Sequence, residues 1–428
     1  MTISMSWNRP APSRGRQHSR RHWPRRIGVG VIVLVVLAVV GGVVQLLRGV
    51  PTPTLETTLA ANQIRVGTVP GTSGLPWPKD GAAEVLVPGV GTFGPVGTKS
   101  PVPIASITKL MTVLVLLHDH PLSLGESGPT ITITPEDMAL YKADLANSDS
   151  TVRIADGENL SEYQALEAML VPSADNVAQV VAIWDAGSVK AFAAKMNALA
   201  KADGLDGCHF VDPSGVDSGS VCTVSDVVKL GELAMANPVV RQIVAMPSVV
   251  LPDNPKPAPT FDFVLNDHGI VGVKTGSDGS AGGCFVFAAN MDVSGRTELV
   301  YGAVLGQVSK TSDLDKALND AVALIKALPA ELKPVSVVHA GMTVGAIHTA
   351  WGETVPLETA ASLSALAPPG SPVHWTLHVD HVTASTRLHA GEQIGTLEVD
   401  LGGTLHPIPV DAEGRLSPPS MHWKLFRL

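Results

Sequence analysis

From Ile27 to Leu47 the chain runs for 21 residues with Gln45 as its only strongly polar member. A helix of that length, rising about 1.5 Å per residue, covers the roughly 30 Å hydrocarbon core of a bilayer. The preceding stretch, Met1 to Arg26, carries seven arginines and no acid. A cleavable signal peptide has a shorter apolar run, about 7 to 15 residues, and a small-x-small exit. Here the run ends in Val43, Val44, Gln45, Leu46 and Leu47, which provides no such exit. Residues 27–47 are therefore expected to be a retained transmembrane signal-anchor. A basic cytoplasmic tail would cover 1–26, and everything from Arg48 onward would lie outside the membrane. The core helix of a soluble protein has no use for the arginine-rich flank.

Charge divides the chain in the same way. Of 30 basic and 39 acidic residues, removing the seven tail arginines leaves 23 against 39, a net charge of −16 outside. Such a surface repels nucleic acid, so no nucleic-acid partner is expected. At 428 residues the chain exceeds one ordinary core, and two folded domains are expected. All three cysteines lie on the outer side, where disulfides persist. Cys208 and Cys222 flank a Gly/Ser/Asp-rich loop and either pair or stay reduced. Pairing would be worth about 3 kcal/mol for a loop near 15 residues, and would leave Cys284 as a lone thiol in an apolar strand.

Residues 48–62 read as a Pro/Thr/Ala linker, Ala82–Pro88 as a strand, and Ile104–Leu117 as a helix. Ile107, Leu110, Met111, Leu114 and Leu117, spaced by three and four, give that helix one buried stripe. Its start, "PIASITKL", holds the chain's only Ser-x-x-Lys, Ser106 and Lys109. Read locally, Ser106 caps a helix and Lys109 is solvated. Read chemically, the two side chains lie one turn apart on the same side of a buried helix. Lost solvation then favours the neutral amine, which can take the serine proton. Helix N–H groups near Ser106 suit an oxyanion. Chance alone supplies about one Ser-x-x-Lys in such a chain, so the pair needs company.

Ser161 and Gln164 form a capping box for a helix buried through Leu166, Met169 and Leu170. That helix breaks at "VPSADN", Val171 to Asn176, before another containing Val177, Val180, Val181 and Trp184. Pro172 as breaker and Ser173 as the next cap is the local reading. Farther on, "GIVGVKTGSDGSAGGCFVFAAN", Gly269 to Asn290, reads as two strands joined by a Gly-rich turn. Lys274, Thr275 and Gly276 stand at the end of the first strand. A cation and a hydroxyl on a sheet edge, with a glycine that admits another backbone, suit capture of a terminal carboxylate. A polar hairpin end is the alternative. Lys-Thr-Gly occurs once, where chance supplies about a tenth of one.

Ser-x-x-Lys, a helix-break serine and Lys-Thr-Gly, in this order, form the signature of active-site serine penicillin-binding enzymes. Residues from about Gln63 to Leu332 resemble a D-alanyl-D-alanine carboxypeptidase of the low-molecular-weight penicillin-binding class. The resemblance runs through "PIASITKLMT", "GENLSEYQALEAMLVPSADNVA", "FVDPSGVD" and "VKTGSDGSAGGC". It implies an α/β fold with a β-lactamase/transpeptidase-like domain, an antiparallel sheet with flanking helices and a helical lobe containing Ser173. It also implies that Ser106 attacks the carbonyl between the last two D-alanines of a peptidoglycan stem peptide. Lys109 would accept its proton, and Ser173 would relay a proton toward the leaving amine. Lys274 and Thr275, with Gly276 beside them, would hold the substrate carboxylate, and the N–H groups of Ser106 and Ser277 would form the oxyanion hole. Water would then release the acyl-enzyme, whereas β-lactam antibiotics would acylate Ser106 and leave slowly. No cofactor or metal is implied.

One position departs from the pattern. The usual Ser-x-Asn is here Ser173, Ala174, Asp175, with Asn176 one place late. A carboxylate only accepts hydrogen bonds, so Asp175 can hold protonated Lys109 but cannot donate to a substrate carbonyl. That motivates a second class of function, a non-catalytic penicillin-binding or wall-binding relative. A β-lactamase is a third, disfavoured by the lack of a clear additional acidic base motif.

The expected division is a catalytic domain over 63–332 and a small C-terminal β-sandwich over 335–428. The latter rests on short alternating runs such as "VHWTLHVDHV", "IGTLEV" and "HPIPV". His374 and His378 would share a strand face with His381 on the other, which argues against zinc. The ending "MHWKLFRL" can touch a membrane but is too short to anchor in one.

Overall fold

The computed structural model describes residues 23–58, 74–368, 373–401 and 404–427. Most of the basic tail, and the start of the catalytic domain expected at Gln63, lie outside the described residues. Trp23–Leu47 is one helix, and its segment Gly28–Leu47 is long and apolar enough to cross a membrane, with none of it buried.

The central sheet has five antiparallel strands in the order Ile270–Asp278, Gly282–Val293, Arg296–Gln307, Ala82–Val87, Gly91–Gly97. Cys284–Ala289 is buried without alternation because helices cover both faces. On one face the helix Asp313–Glu331 packs Leu318, Leu324 and Leu328 with Phe285, Phe287 and Val304. On the other, the helices Thr108–Asp119, Val224–Ala236 and Pro238–Val244 pack Leu110, Leu230 and Val240 with Val286, Ala288 and Ala303. Each of the Leu, Val and Phe side chains is worth about 1.5–3 kcal/mol when fully buried, so the Lys274 strand is an edge laid on a stiff slab.

The expected helix Ile104–Leu117 is a 3₁₀ turn, Ala105–Ile107, followed by the helix Thr108–Asp119. One buried stripe is too narrow a description of it. Lys109, Thr112, Val113, Val115 and Leu116 are buried along with Leu110 and Met111, because helices of the lobe wrap the side that faces away from the sheet. That lobe includes Pro135–Asn147, Glu162–Leu170, Asp175–Ala186 and Val189–Ala202. The Ser161 capping box forms as expected, with the Gln164 N–H donating to Ser161 Oγ at 3.2 Å and the Ser161 N–H to Gln164 Oε1 at 2.9 Å. Cys208 and Cys222 are disulfide-bonded, and Cys284 is a buried thiol.

Beyond Glu331 the chain supplies five strands of a six-stranded antiparallel sheet and a two-stranded one, Val335–Val338 with Leu363–Ala365. Val338, Val344, Leu357, Leu397, Val399 and Val410 lie in the core between them. The edge of the larger sheet differs from expectation. Thr54–Thr57, inside the stretch 48–62 read as a linker, is a strand paired with Thr343–His348, Leu55 opposite Ile347. All four of its residues are exposed, so backbone pairing rather than burial holds it there. The strand His374–Val379 ends before His381, and His378 sits 3.3 Å from Glu398.

Candidate active site

Ser106 lies in the 3₁₀ turn and makes no side-chain cap; its Oγ accepts from Lys109 Nζ at 2.7 Å. The turn is held in a costly shape. Ala105 has φ +46°, a left-handed conformation worth about 1–3 kcal/mol of strain for a non-glycine residue. Gly215 supports it from below: a Cβ there would lie 1.9 Å from the Ala105 carbonyl oxygen, and its own φ is +85°. The loop carrying Gly215 is organised by the Asp212 carboxylate. It accepts from the N–H groups of Ser214 and Gly215 at 3.2 and 2.7 Å, and from the Ser220 hydroxyl at 2.5 Å. This is the chemistry behind "FVDPSGVD": a short acid closes a turn so that its carbonyls face the helix.

Lys109 is fully buried. Its Nζ donates to Ser106 Oγ, to Asp175 Oδ1 at 2.5 Å and to the Ser214 carbonyl at 3.0 Å. The sequence predicts an uncharged amine; the structure supplies three acceptors, one of them a carboxylate, which match the three N–H groups of an ammonium. The second oxygen of Asp175 accepts from the Ser150 N–H at 2.9 Å. Asn176 does not replace the missing amide. It is buried and turned away, its side chain bonded to both backbone groups of Val152 at 3.1 and 2.9 Å.

Ser173 does not cap the helix that follows it. That helix starts at Asp175 without a side-chain cap, and Ser173, at φ +60°, accepts from Lys274 Nζ at 2.9 Å. Lys274 also donates to the Thr275 carbonyl at 2.9 Å. Burial, reinforced by the nearby charge of Lys109, holds the Lys274 ammonium well below the usual lysine range. Thr275 is buried and Ser277 exposed, so the edge turns from interior to solvent across Gly276. A Cβ on Gly276 would lie 3.0 Å from the Ser106 nitrogen and 2.9 Å from the Ile104 carbonyl oxygen. Glycine is what lets the sheet edge approach the Ser106 turn.

Ser106, Ser173, Thr275, Gly276 and Ser277 thus line one cleft of about 270 Å³, with Ser150, Phe261 and Leu314 completing its wall. Lys109, Asp175 and Lys274 lie behind that wall. Asp262, which follows Phe261, carries no sequence signal yet is nearly buried, with one oxygen unpartnered among the described residues. Burial pushes its carboxyl up to about 6, against the opposing pull of the Val264 N–H and the charge of Lys274. Sequence reasoning also passes over Ser150 and the Ser214 carbonyl. Only the Asp-Pro-Ser-Gly turn signal pointed near the latter.

A family model described as D-alanyl-D-alanine carboxypeptidase matches residues 97–304, a span holding all the motif residues of the cleft. The chain is 31% identical over 238 residues to a D-alanyl-D-alanine carboxypeptidase of Streptomyces sp. (strain K15), covering 51% of this chain and 78% of that one. It is 32% identical over 195 residues to a D-alanyl-D-alanine endopeptidase of Escherichia coli (strain K12), covering 43% and 58%. The crystal structure of the Streptomyces K15 DD-transpeptidase superposes with a TM-score of 0.51 at 25% identity, covering 59% of this chain and 99% of that one. With this similarity and a serine, two lysines and a glycine-edged strand around one cleft, the chain belongs to the D-alanyl-D-alanine carboxypeptidase family of serine hydrolases.

Proposed function

We propose that the protein is a membrane-anchored serine DD-carboxypeptidase that removes the terminal D-alanine from peptidoglycan stem peptides. The observation that carries this reading is the 2.7 Å contact of Lys109 Nζ with Ser106 Oγ, beside an edge strand that offers Lys274 and Thr275. The substrate's carboxylate is drawn to Lys274 and Thr275, and its backbone extends along Gly276 and Ser277. As the free amine, Lys109 keeps its N–H groups on Asp175 and the Ser214 carbonyl and turns its lone pair to Ser106, whose proton it takes as Oγ attacks the penultimate carbonyl. The N–H groups of Ser106 and Ser277 hold the oxyanion. Ser173, kept in place by Lys274, passes a proton to the departing D-alanine amine. Water then cleaves the Ser106 ester. β-Lactams, which also carry a carboxylate beside a reactive carbonyl, acylate the same oxygen.

In this reading residues 63–332 form the catalytic domain, 335–428 a separate β-sandwich domain, and 27–47 a single-pass anchor with the catalytic domain outside the cell membrane. The basic tail 1–26 stays on the cytoplasmic side. A fluorescent penicillin tests the chemistry. Covalent label should appear on the wild type and vanish in Ser106→Ala, and a D-Ala-D-Ala pentapeptide should release free D-alanine. Label without release would leave a penicillin-binding module, and no label would end the peptidase reading.

A further inference from the structure

Phe261 and Phe263 do what no other large aromatic of the domain does. Between residues 74 and 332 they are the only exposed Phe, Tyr or Trp side chains among the described residues, at 37% and 66%. Their rings meet edge to face, with 6.4 Å between centroids and 73° between planes. Asp262, between them, is 6% exposed, so the backbone turns one side chain inward and two outward.

Hydrogen bonds pin this segment on several sides. It continues a short hairpin, Ser248–Val249 with Ala258–Pro259, and the Thr260 N–H donates to the Pro247 carbonyl at 2.9 Å. The Asp262 N–H donates to Thr260 Oγ1 at 3.1 Å, and Asp262 Oδ1 accepts from the Val264 N–H at 3.2 Å. In the hairpin's loop, the Asn254 side chain exchanges two hydrogen bonds with the Arg153 backbone, at 3.3 and 3.0 Å. Two rings held outward on a pinned loop, one of them in the wall of the Ser106 cleft, make a preformed apolar surface beside the chemistry.

Which end of the cleft they occupy follows from the strand Ile270–Asp278. Asp262 lies close enough to Lys274 for the two charges to act on each other, which places Phe261 at the Lys274 end. Leu314, the other apolar wall residue, stands at the opposite end: a Cβ on Gly283, the partner of Ser277, would lie 2.9 Å from the Leu314 nitrogen. In the proposed function Lys274 and Thr275 grip the carboxylate of the residue that departs. The side chain next to that carboxylate is the one within reach of the rings. A methyl group leaves most of both rings in water, whereas a branched side chain covers them, and removing apolar surface from water is favourable.

We propose that Phe261 and Phe263 seat the side chain of the leaving residue, so that the enzyme releases bulky apolar D-amino acids as well as D-alanine. This rests on the proposed function, through the carboxylate site at Lys274 and Thr275.

The full chain in detergent, given diacetyl-L-lysyl-D-alanyl peptides ending in D-alanine, D-leucine or D-asparagine, tests this. Release of the last residue gives kcat/KM, and protection of Ser106 from a fluorescent penicillin gives a second readout that needs no turnover. The D-leucine peptide should at least match the D-alanine peptide and exceed the D-asparagine peptide, similar in size but polar, by about tenfold. Phe261→Ala and Phe263→Ala should each lower the D-leucine to D-alanine ratio about fivefold, and Phe263→Leu should keep most of it. Rejection of the D-leucine peptide by a wild type that takes penicillin, or unchanged ratios in both alanine variants, overturns the inference. Failure of all three peptides and of penicillin to react at Ser106 would instead remove the peptidase reading beneath it.

Discussion

Between Glu84 and Lys274 the described residues bury eight charged side chains: Glu84, Lys109, Asp137, Asp144, Glu162, Asp175, Asp262 and Lys274. Between Val335 and Leu416 they bury none, and Thr359 is the only buried polar residue there. The C-terminal sheets need only shape, and they solve the folding problem with Val, Ile and Leu. The other region accepts charges whose desolvation is worth several kcal/mol per ion unless they are paired. Some of those pairings are structural. Asp137 closes a capping box with Thr134, Asp144 takes the Gln179 amide, and Glu84 takes the Ser225 hydroxyl at 2.5 Å. Lys109, Asp175, Lys274 and Asp262 are different: two cations and two carboxylates converge behind one cleft, which no packing requirement explains.

The largest effect is therefore expected at Lys109. In the proposed mechanism Lys109→Ala removes the base, and activity should fall by about 10²–10⁴, the usual worth of a general base. It also leaves Asp175 buried and unpaired, so stability should drop by about 3–5 kcal/mol. The double variant Lys109→Ala, Asp175→Ala should regain most of the stability and none of the activity, measured by urea unfolding alongside penicillin acylation. Recovery of activity would mean that Lys109 serves the fold and not the reaction.

Glu162 sharpens the comparison from the other side, being a buried charge with no partner. It is fully buried, and neither carboxylate oxygen has a hydrogen bond among the described residues. It packs under Gly128, and Asp185, a charge that acts on it, is itself held by His120 at 3.0 Å and Lys195 at 2.7 Å. Burial, and then Asp185, push the Glu162 carboxyl up to about 7. Between the ordinary 4.5 and 7 the folded protein keeps a proton that the unfolded chain gives up. Stability must fall as pH rises through that window. Glu162→Gln should remove this slope, on the order of 3 kcal/mol between pH 4.5 and 8. Parallel stability–pH curves for wild type and variant would show that Glu162 finds a partner.

How far this was legible follows from where each signal sits. Ser106, Lys109 and Lys274 stood out because their motifs are local, three or four residues at a helix start or strand end. The disulfide was open in the sequence because spacing permits a bridge without requiring it. Asp262, Ser150 and the Ser214 carbonyl escaped because their roles arise from contacts between segments far apart, which leave no periodicity. Thr54–Thr57 escaped for a simpler reason: "TLET" is exposed on both faces, so no alternation marks it as a strand. That Asp175 can accept from Lys109 follows from its chemistry alone, but the third acceptor, from a loop 105 residues away, leaves no trace in the sequence.

Asp262 should give a smaller, more selective effect. Its charge favours the ammonium of Lys274, which burial and Lys109 disfavour. As pH rises through the folded-state value of Lys274, below the ordinary 10.5, the cation is lost, and in the proposed mechanism the hold on the substrate carboxylate weakens. Asp262→Asn should move that loss to lower pH and raise KM about fivefold near neutrality, roughly 1 kcal/mol by the usual logarithmic relation. A substrate analogue ending in an amide should show no such change. Equal effects on both substrates would reduce Asp262 to a loop-packing residue.

The smallest effect belongs to the C-terminal region. His378 Nε2 and Glu398 Oε2 meet at 3.3 Å between neighbouring strands, with side chains 60% and 40% exposed. Solvent at both groups screens the attraction, and exposed pairs are typically worth about 0.2–1 kcal/mol. His378→Ala should therefore shift the unfolding midpoint only slightly, with the shift fading in about 0.5 M salt as the screening length shortens. Acylation of Ser106 should not change at all. A large loss of stability, or any change in acylation, would mean that this sheet transmits strain to the cleft. The contrast between a region that buries charge for chemistry and one that excludes it for support would then fail at its quiet end, where every argument from burial says nothing should happen.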